Sequence, residues 1–191
     1  MRISSVLAAL LVSACASTVD GAMPIRGDAY YTMPSEGFSS RLSITDDSLD
    51  GYRLVTSRGV RAQYVDLFGV DSDVFFRAFV WNGGDHTVQV YFSTEASDWL
   101  FPTSLNFGSP LRSVKVDSVA SDVSCRSGGC EHYESVIAEL STGDVRAMLD
   151  LATPELFEVR LKTRSGVNVD RTLRKDELRA VLQAAGLAEN Y

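Results

Sequence analysis

Residues 112–140 read RSVKVDSVASDVSCRSGGCEHYESVIAEL, and the fold is decided by how this stretch pairs with itself. One β-rich run climbs to Cys125, turns through Arg126-Ser127-Gly128-Gly129, and a second descends from Cys130. A four-residue loop ending in Gly-Gly suits a hairpin built on a type I turn, because one of its last positions takes a positive φ that glycine adopts without cost. Cys125 then stands opposite Cys130, Val123 opposite His132, Ser121 opposite Glu134 and Val119 opposite Val136. Toward the base the apolar phase of the first run slips from odd to even positions at Val116 and Val114. One extra residue near Asp117-Ser118, a β-bulge, restores the phase and aligns Val116 with Ala138 and Val114 with Leu140. The base is expected to be core and the polar tip to project.

Downstream, Ser141-Thr142-Gly143 leads into a short helix with Val145, Met148, Leu149 and Ala152 on one face, Thr142 as its N-cap and Pro154 closing it. Phe157 to Leu173 fixes its own register. With a three-residue loop at Arg164-Ser165-Gly166, Phe157 meets Leu173, Leu161 meets Val169, Thr163 meets Val167, and Arg160 faces Asp170 on the wet side. A last helix starts near Asp176, buries Leu178, Val181, Leu182 and Ala185, and stops at Gly186 with Leu187 folding back on Leu182.

Upstream, Tyr52 to Thr56 and Val60 to Phe68 read as strands separated by a turn at Ser57-Arg58-Gly59. Phe75 to Trp81 is apolar on both alternating faces, as in a strand buried on both sides, and Asn82-Gly83-Gly84-Asp85 turns it into a partner at Thr87 to Phe92. Ser97 to Pro110 reads as an irregular loop whose aromatics dock on the core, while Tyr30-Tyr31 and Arg41 to Thr45 read as short strands. The fold class that follows is α+β, a mostly antiparallel sheet, sandwich-like or curved, with two short helices in the C-terminal third.

The chain opens with Arg2 and an apolar run from Ile3 to Val12, an export signal too short to span a membrane as a helix. Val12-Ser13-Ala14-Cys15 resembles the lipobox of bacterial lipoproteins, in which the cysteine is lipidated and becomes the first residue of the mature protein. The resemblance covers about the first fifteen residues, and Ala14-Cys15-Ala16 also fits an A-x-A site for ordinary secretory cleavage. It implies a signal peptide over residues 1–14 and lipidation of Cys15; the small, polar stretch that follows, broken by Gly21, Pro24 and Gly27, reads as a flexible tether over 15–27, and the remaining length as one globular domain over 28–191. In such lipoproteins an aspartate after the cysteine often retains the protein at the inner membrane; Ala16 stands there instead, which implies anchoring in the outer membrane facing the periplasm. The other outcome is secretion into the periplasm. Of three cysteines, a lipidated Cys15 leaves Cys125 and Cys130 to pair with each other in an oxidising compartment.

A formal net charge of −7 disfavours nonspecific nucleic-acid binding and adhesion to an anionic lipid surface. No cofactor signature, G-x-S-x-G, H-E-x-x-H or phosphate loop is present; His86 has no nearby nucleophile in sequence, and the other histidine is His132. Cys125, Cys130, His132 and Glu134 share a hairpin face and resemble a metal-ligand set, but an exported cysteine pair across a tight turn oxidises to a disulfide instead. Asp46, Asp47 and Asp50, and likewise Asp71 and Asp73, lack the closing glutamate of a calcium loop and read as solvated turn residues. The expectation is a noncatalytic, lipid-anchored interaction or assembly module with a protein partner in the envelope. Its contact surface is Arg126, Ser127, His132 and Glu134 at the pinned hairpin tip. The alternative is a binding module for a small molecule or glycan, or a small enzyme, with its site at Trp81, Trp99 and Phe101 in the aromatic segment 81–107.

Overall fold

The computed structural model describes residues 25–26, 28–57, 62–65, 71–151 and 155–191. The first strands are β1 (Ile25–Arg26), β2 (Ser43–Asp47), β3 (Tyr52–Thr56), β4 (Ala62–Val65), β5 (Asp71–Trp81) and β6 (His86–Ala96). They are followed by β7 (Pro102–Phe107), β8 (Arg112–Arg126), β9 (Gly129–Leu140), β10 (Leu156–Thr163) and β11 (Val169–Arg174). Helices α1 (Asp28–Thr32) and α2 (Glu36–Ser39) lie between β1 and β2, while α3 (Thr142–Asp150) and α4 (Lys175–Ala184) belong to the C-terminal third. The strand order is β1-β4-β5-β6-β9-β8-β7-β10-β11, with β3 also on β5 and β2 on β3. Every pairing except β1 with β4 is antiparallel. The fold is therefore α+β and mostly antiparallel, as the sequence predicts.

The sheet curls because β8 belongs to both of its halves, pairing with β9 from Val116 to Arg126 and with β7 from Arg112 to Lys115. Val114 accordingly faces Leu105 of β7 and not Leu140, a correction to the expected register. The cause is β7 itself, which lies inside the segment read as an irregular loop. Pro102 stands at its first residue, where the missing N–H is harmless, and Gly108 (φ 79°) and the cis Ser109-Pro110 bond fall in the turn after it. The predicted bulge exists, but Val119 is the extra residue and Ser118 takes its place opposite Val136. Any position between Val116 and Ser121 satisfies both flanking registers, so parity alone cannot choose among them. The remaining hairpin pairs, from Ser121–Glu134 to Cys125–Cys130, match, and the ladder continues to Arg126–Gly129, leaving a loop of Ser127 and Gly128.

The concave side of the curl is filled by Val74, Phe76, Ala78, Val88, Val90 and Phe92, by Leu105 and Leu161, and by α4 through Leu178, Val181 and Leu182. Phe157 pairs with Leu173 and Leu161 with Val169 as expected, and Arg160 grips Asp170 through two bonds of 2.6 and 2.7 Å. The Arg160 hydrogen bonds hold the Asp170 carboxyl below its usual range against the opposing effect of burial. The α4 terminus also follows the sequence: Gly186 takes φ 73° and the Leu187 N–H donates to the Leu182 carbonyl at 2.8 Å.

Strand β5 is not buried on both sides by separate layers. Its outer face is shielded by its own aromatic ladder, with Phe79 stacked on Trp81 at 5.8 Å, Phe75 on Tyr91 at 4.8 Å, and the Arg77 guanidinium 4.9 Å from the Tyr91 ring centroid. Burial lowers the Arg77 pKa. Three local expectations are also corrected. Tyr30 and Tyr31 are helical, not extended, because tertiary bonds described below hold them. Ile25–Arg26, at the end of the expected tether, forms a parallel bridge to Ala62 and Gln63. The α3 cap is Ser141 and not Thr142: its hydroxyl accepts from the Asp144 N–H at 3.2 Å, and the Asp144 carboxylate accepts from the Ser141 N–H at 3.1 Å. Burial raises the Asp144 pKa, but the bonds from Ser141 and Arg112 outweigh it and leave the carboxyl below its usual value. Cys15, most of the tether, the Arg58-Gly59 turn, Phe68, Ala152 and Pro154 lie outside the described residues.

Candidate functional site

The β8–β9 hairpin outruns the rest of the sheet. Strand β6 accompanies β9 only as far as Ala96 opposite His132, so among the described residues the two strands pair with each other alone from Glu131 outward. Cys125 and Cys130 are disulfide-bonded with their Cα atoms 4.0 Å apart. Closing so short a loop is worth about 2 kcal/mol. The bond therefore holds the tip in one shape and adds little to the stability of the whole. Arg126 and Ser127 are exposed at that tip, as the sequence suggests.

His132 and Glu134 are not part of the same exposed surface. Glu134 is 8% exposed, and its carboxylate accepts from the N–H of Leu100 at 2.6 Å and of Phe101 at 3.1 Å. It thereby fastens the crossing from β6 to β7 beneath the root of the arm. The far side of that crossing is held by Arg164 and Ser165, whose N–H groups donate to the Phe101 and Leu100 carbonyls at 3.0 and 3.2 Å. Leu100 is buried in the core, and Phe101 adopts φ 54°, an unusual conformation for an aromatic residue that these four backbone bonds stabilise. The signal was legible in phase. Glu134 alternates with Val136, Ala138 and Leu140 on the inner face, and a carboxylate there needs buried donors. His132 packs edge-on against Trp99 at 4.6 Å.

Trp99 and Phe101 lie together, with ring centroids 6.3 Å apart, but Trp81 does not join them. Trp81 follows Val80, which faces His86 at the opposite end of the eleven-residue β6. That strand length separates the ends by roughly 33 Å. The expected pocket of Trp81, Trp99 and Phe101 is thus not formed. A groove of about 580 Å³ lies instead at the far end of β7, lined by Gly108, Leu151, Leu156, Phe157 and Glu158 among others.

A second polar centre joins the N-terminal segment to α4, and the sequence reading missed it. Glu177, 0% exposed, accepts from the Tyr30 hydroxyl and from Ser57 Oγ, the latter at 2.5 Å. Ser57 Oγ also lies 3.0 Å from the Phe76 carbonyl and accepts from the Phe76 N–H at 2.9 Å. Burial raises the Glu177 pKa, the bonds from Ser57 and Tyr30 oppose it, and the group settles at about 7. Both protonation states find partners here: ionised, Glu177 accepts a hydrogen bond from the Ser57 hydroxyl; protonated, it donates to Ser57 Oγ, whose hydroxyl then donates to the Phe76 carbonyl. Beside it, Arg174 is paired with Asp176 and donates to the carbonyls of Tyr30, Tyr31 and Met33 at 2.9, 3.0 and 2.7 Å. Its guanidinium also sits 4.8 Å from the Phe38 ring centroid. This centre clasps the segment that leads in from the N-terminus.

Two of the aspartates weighed as calcium ligands have other duties. Asp46 is ion-paired with Arg53 at 2.7 Å, and Asp47 caps the turn by accepting from Leu49 and Asp50 at 2.9 and 3.0 Å. Among the described residues no three His, Cys, Asp or Glu side chains come together as a metal-ligand group. No family model, curated protein or solved structure matches this chain.

Proposed function

We propose that the chain is a lipid-anchored envelope protein, held through Cys15 in the outer membrane and facing the periplasm, that works as a noncatalytic assembly module. The β8–β9 arm is its contact surface and a protein of the envelope its partner. The anchor rests on the Val12-Ser13-Ala14-Cys15 pattern and on the use it gives to each of three cysteines. The observation that carries the contact role is the construction of the arm: a two-stranded projection fixed at its tip by the Cys125–Cys130 disulfide and at its root by Glu134. Pre-ordering a projection in this way lowers the entropy lost on docking, which is where rigidity helps binding.

The test is in-cell crosslinking of the tagged native chain, followed by purification from the membrane fraction and intact-mass analysis. An acylated Cys15 and a near-stoichiometric partner that disappears when Arg126 to Gly129 are replaced are expected. An unmodified Ala16 terminus contradicts the anchor. A partner unaffected by replacing the tip contradicts the contact surface.

A further inference from the structure

The ladder geometry determines which backbone groups the arm leaves open. Opposed residues in an antiparallel pair alternate between exchanging two hydrogen bonds, with Cα atoms about 5.5 Å apart, and exchanging none, with Cα atoms about 4.5 Å apart. The 4.0 Å separation of Cys125 and Cys130 marks a pair of the second kind, and by alternation Val123–His132 and Ser121–Glu134 are the same. Two contacts agree with this assignment. The Glu134 carbonyl points away from β8, accepting from Thr94 Oγ1 of β6 at 3.2 Å. The Val123 N–H points away from β9 and is met by the Asp122 carboxylate at 2.8 Å. The N–H and C=O groups of Ser121, Val123 and Cys125 therefore face the free side of β8. Strand β7 occupies that side only at Arg112 to Lys115, and among the described residues no strand follows it over Val116–Arg126.

Exposed edges are usually blunted by charged side chains, especially lysine, by proline, by bulges or by shortness, and here the bulge at Val119 is confined to the root of the arm. Between Val116 and Cys125 there is no proline, lysine or arginine, and beyond the bulge at Val119 the strand is regular to its tip. The edge is flanked by chemistry of two kinds. Val119 and Val123 are 49% and 45% exposed, and Phe101, where the crossing enters β7, is 52% exposed. On the outer face stand Asp117, opposite Ile137 and ion-paired with Lys115 at 2.6 Å, and Asp122, opposite Tyr133.

We propose, building on the assembly reading, that this edge accepts an extended segment of the partner as an added β-strand, with apolar residues alternating with basic ones. Main-chain bonds to Ser121, to Cys125 and to the Val123 carbonyl supply affinity, and alternate side chains supply choice. The apolar set lies beside Val123, and the basic set lies beside Asp122, whereas Asp117 is already paired with Lys115. A second copy of this chain is the poorer occupant, since between a Lys115 already paired with Asp117 and Arg126 at the tip it brings Asp122 and no further cation.

The test is amide hydrogen exchange on the labelled full-length chain, with a nine-residue peptide alternating valine and lysine as the probe. A version with proline at its centre is the control. The Ser121 and Cys125 amides are expected to exchange rapidly alone and to slow at least tenfold with the probe. The control should not slow them, and the Ala120, Asp122 and Ser124 amides, already bonded to β9, should change little. Equal effects of both peptides, or no effect at millimolar peptide, overturn the proposal. So does protection of Ser121 and Cys125 that grows with protein concentration in the absence of peptide, which assigns the edge to a second copy. In cells, Ser121→Pro removes an edge donor and no β9 bond, so it should abolish partner crosslinking while Ser121→Ala retains it. A partner retained by Ser121→Pro but lost on replacing Arg126 to Gly129 leaves the assembly reading intact and overturns strand addition.

Discussion

Val116 and Val123 lie seven residues apart on one strand, yet Val116 is 6% exposed and Val123 45% exposed. At the base, β8 is packed against Leu105, Ala138 and the helical layer, and apolar burial holds it. In the arm the same strand has, among the described residues, only β9 paired with it, and a disulfide with a buried carboxylate at its root does the work that burial does elsewhere. The base resists change through many small contacts. The arm depends on a few specific bonds, so its removal should cost less stability and more recognition.

Mutations ought to separate the two regions in a definite order. The largest effect is expected at the clasp. Arg174→Leu strands the buried Asp176 and three carbonyls, and loss of one partner of a buried pair costs about 3–5 kcal/mol. Urea unfolding should show this loss with the disulfide still formed.

Next comes the pH dependence of the clasp. The Glu177 pKa rises from 4.5 to about 7 on folding, so the folded state holds a proton that the unfolded state has released between those values. Stability from this group is complete below pH 4.5 and is lost as pH rises to 7, a change on the order of 3 kcal/mol. Unfolding curves across that window should show the decline, and Glu177→Gln, which cannot ionise, should flatten it.

At the root of the arm, Glu134→Ala leaves the Leu100 and Phe101 N–H groups without their acceptor, at a cost of about 1–3 kcal/mol. Faster amide exchange confined to residues 97–101 is the specific sign. The smallest change is at the tip. Replacing Cys125 and Cys130 together by serine should cost about 2 kcal/mol or less and leave exchange in the base unaltered.

What could be read in advance follows the same division. Registers set by alternating apolar residues and glycine turns, such as Phe157 with Leu173 or Cys125 with Cys130, were legible because both ends of each pair are local in sequence. The exchange of β8 from β9 to β7 was not, since Val114 can satisfy its apolar face against Leu140 or Leu105 equally well. The clasp was the least legible feature. Tyr30, Ser57 and Glu177 meet across separations of up to 147 residues, and each alone resembles a surface residue. The inward turn of Glu134 was recoverable from strand phase, whereas the separation of Trp81 from Trp99 required knowing that β6 runs eleven residues between them.

The measurement that separates arm from base most directly is a photo-crosslinking scan in cells. A photoreactive residue is placed singly at Val123 and Ser127 on the arm, and at the exposed Leu49 and Leu111 on the base. Adducts of one defined mass at the two arm positions and none at the base positions are predicted. Adducts confined to Leu49 or Leu111, or equal at all four, would contradict the arm as the contact surface.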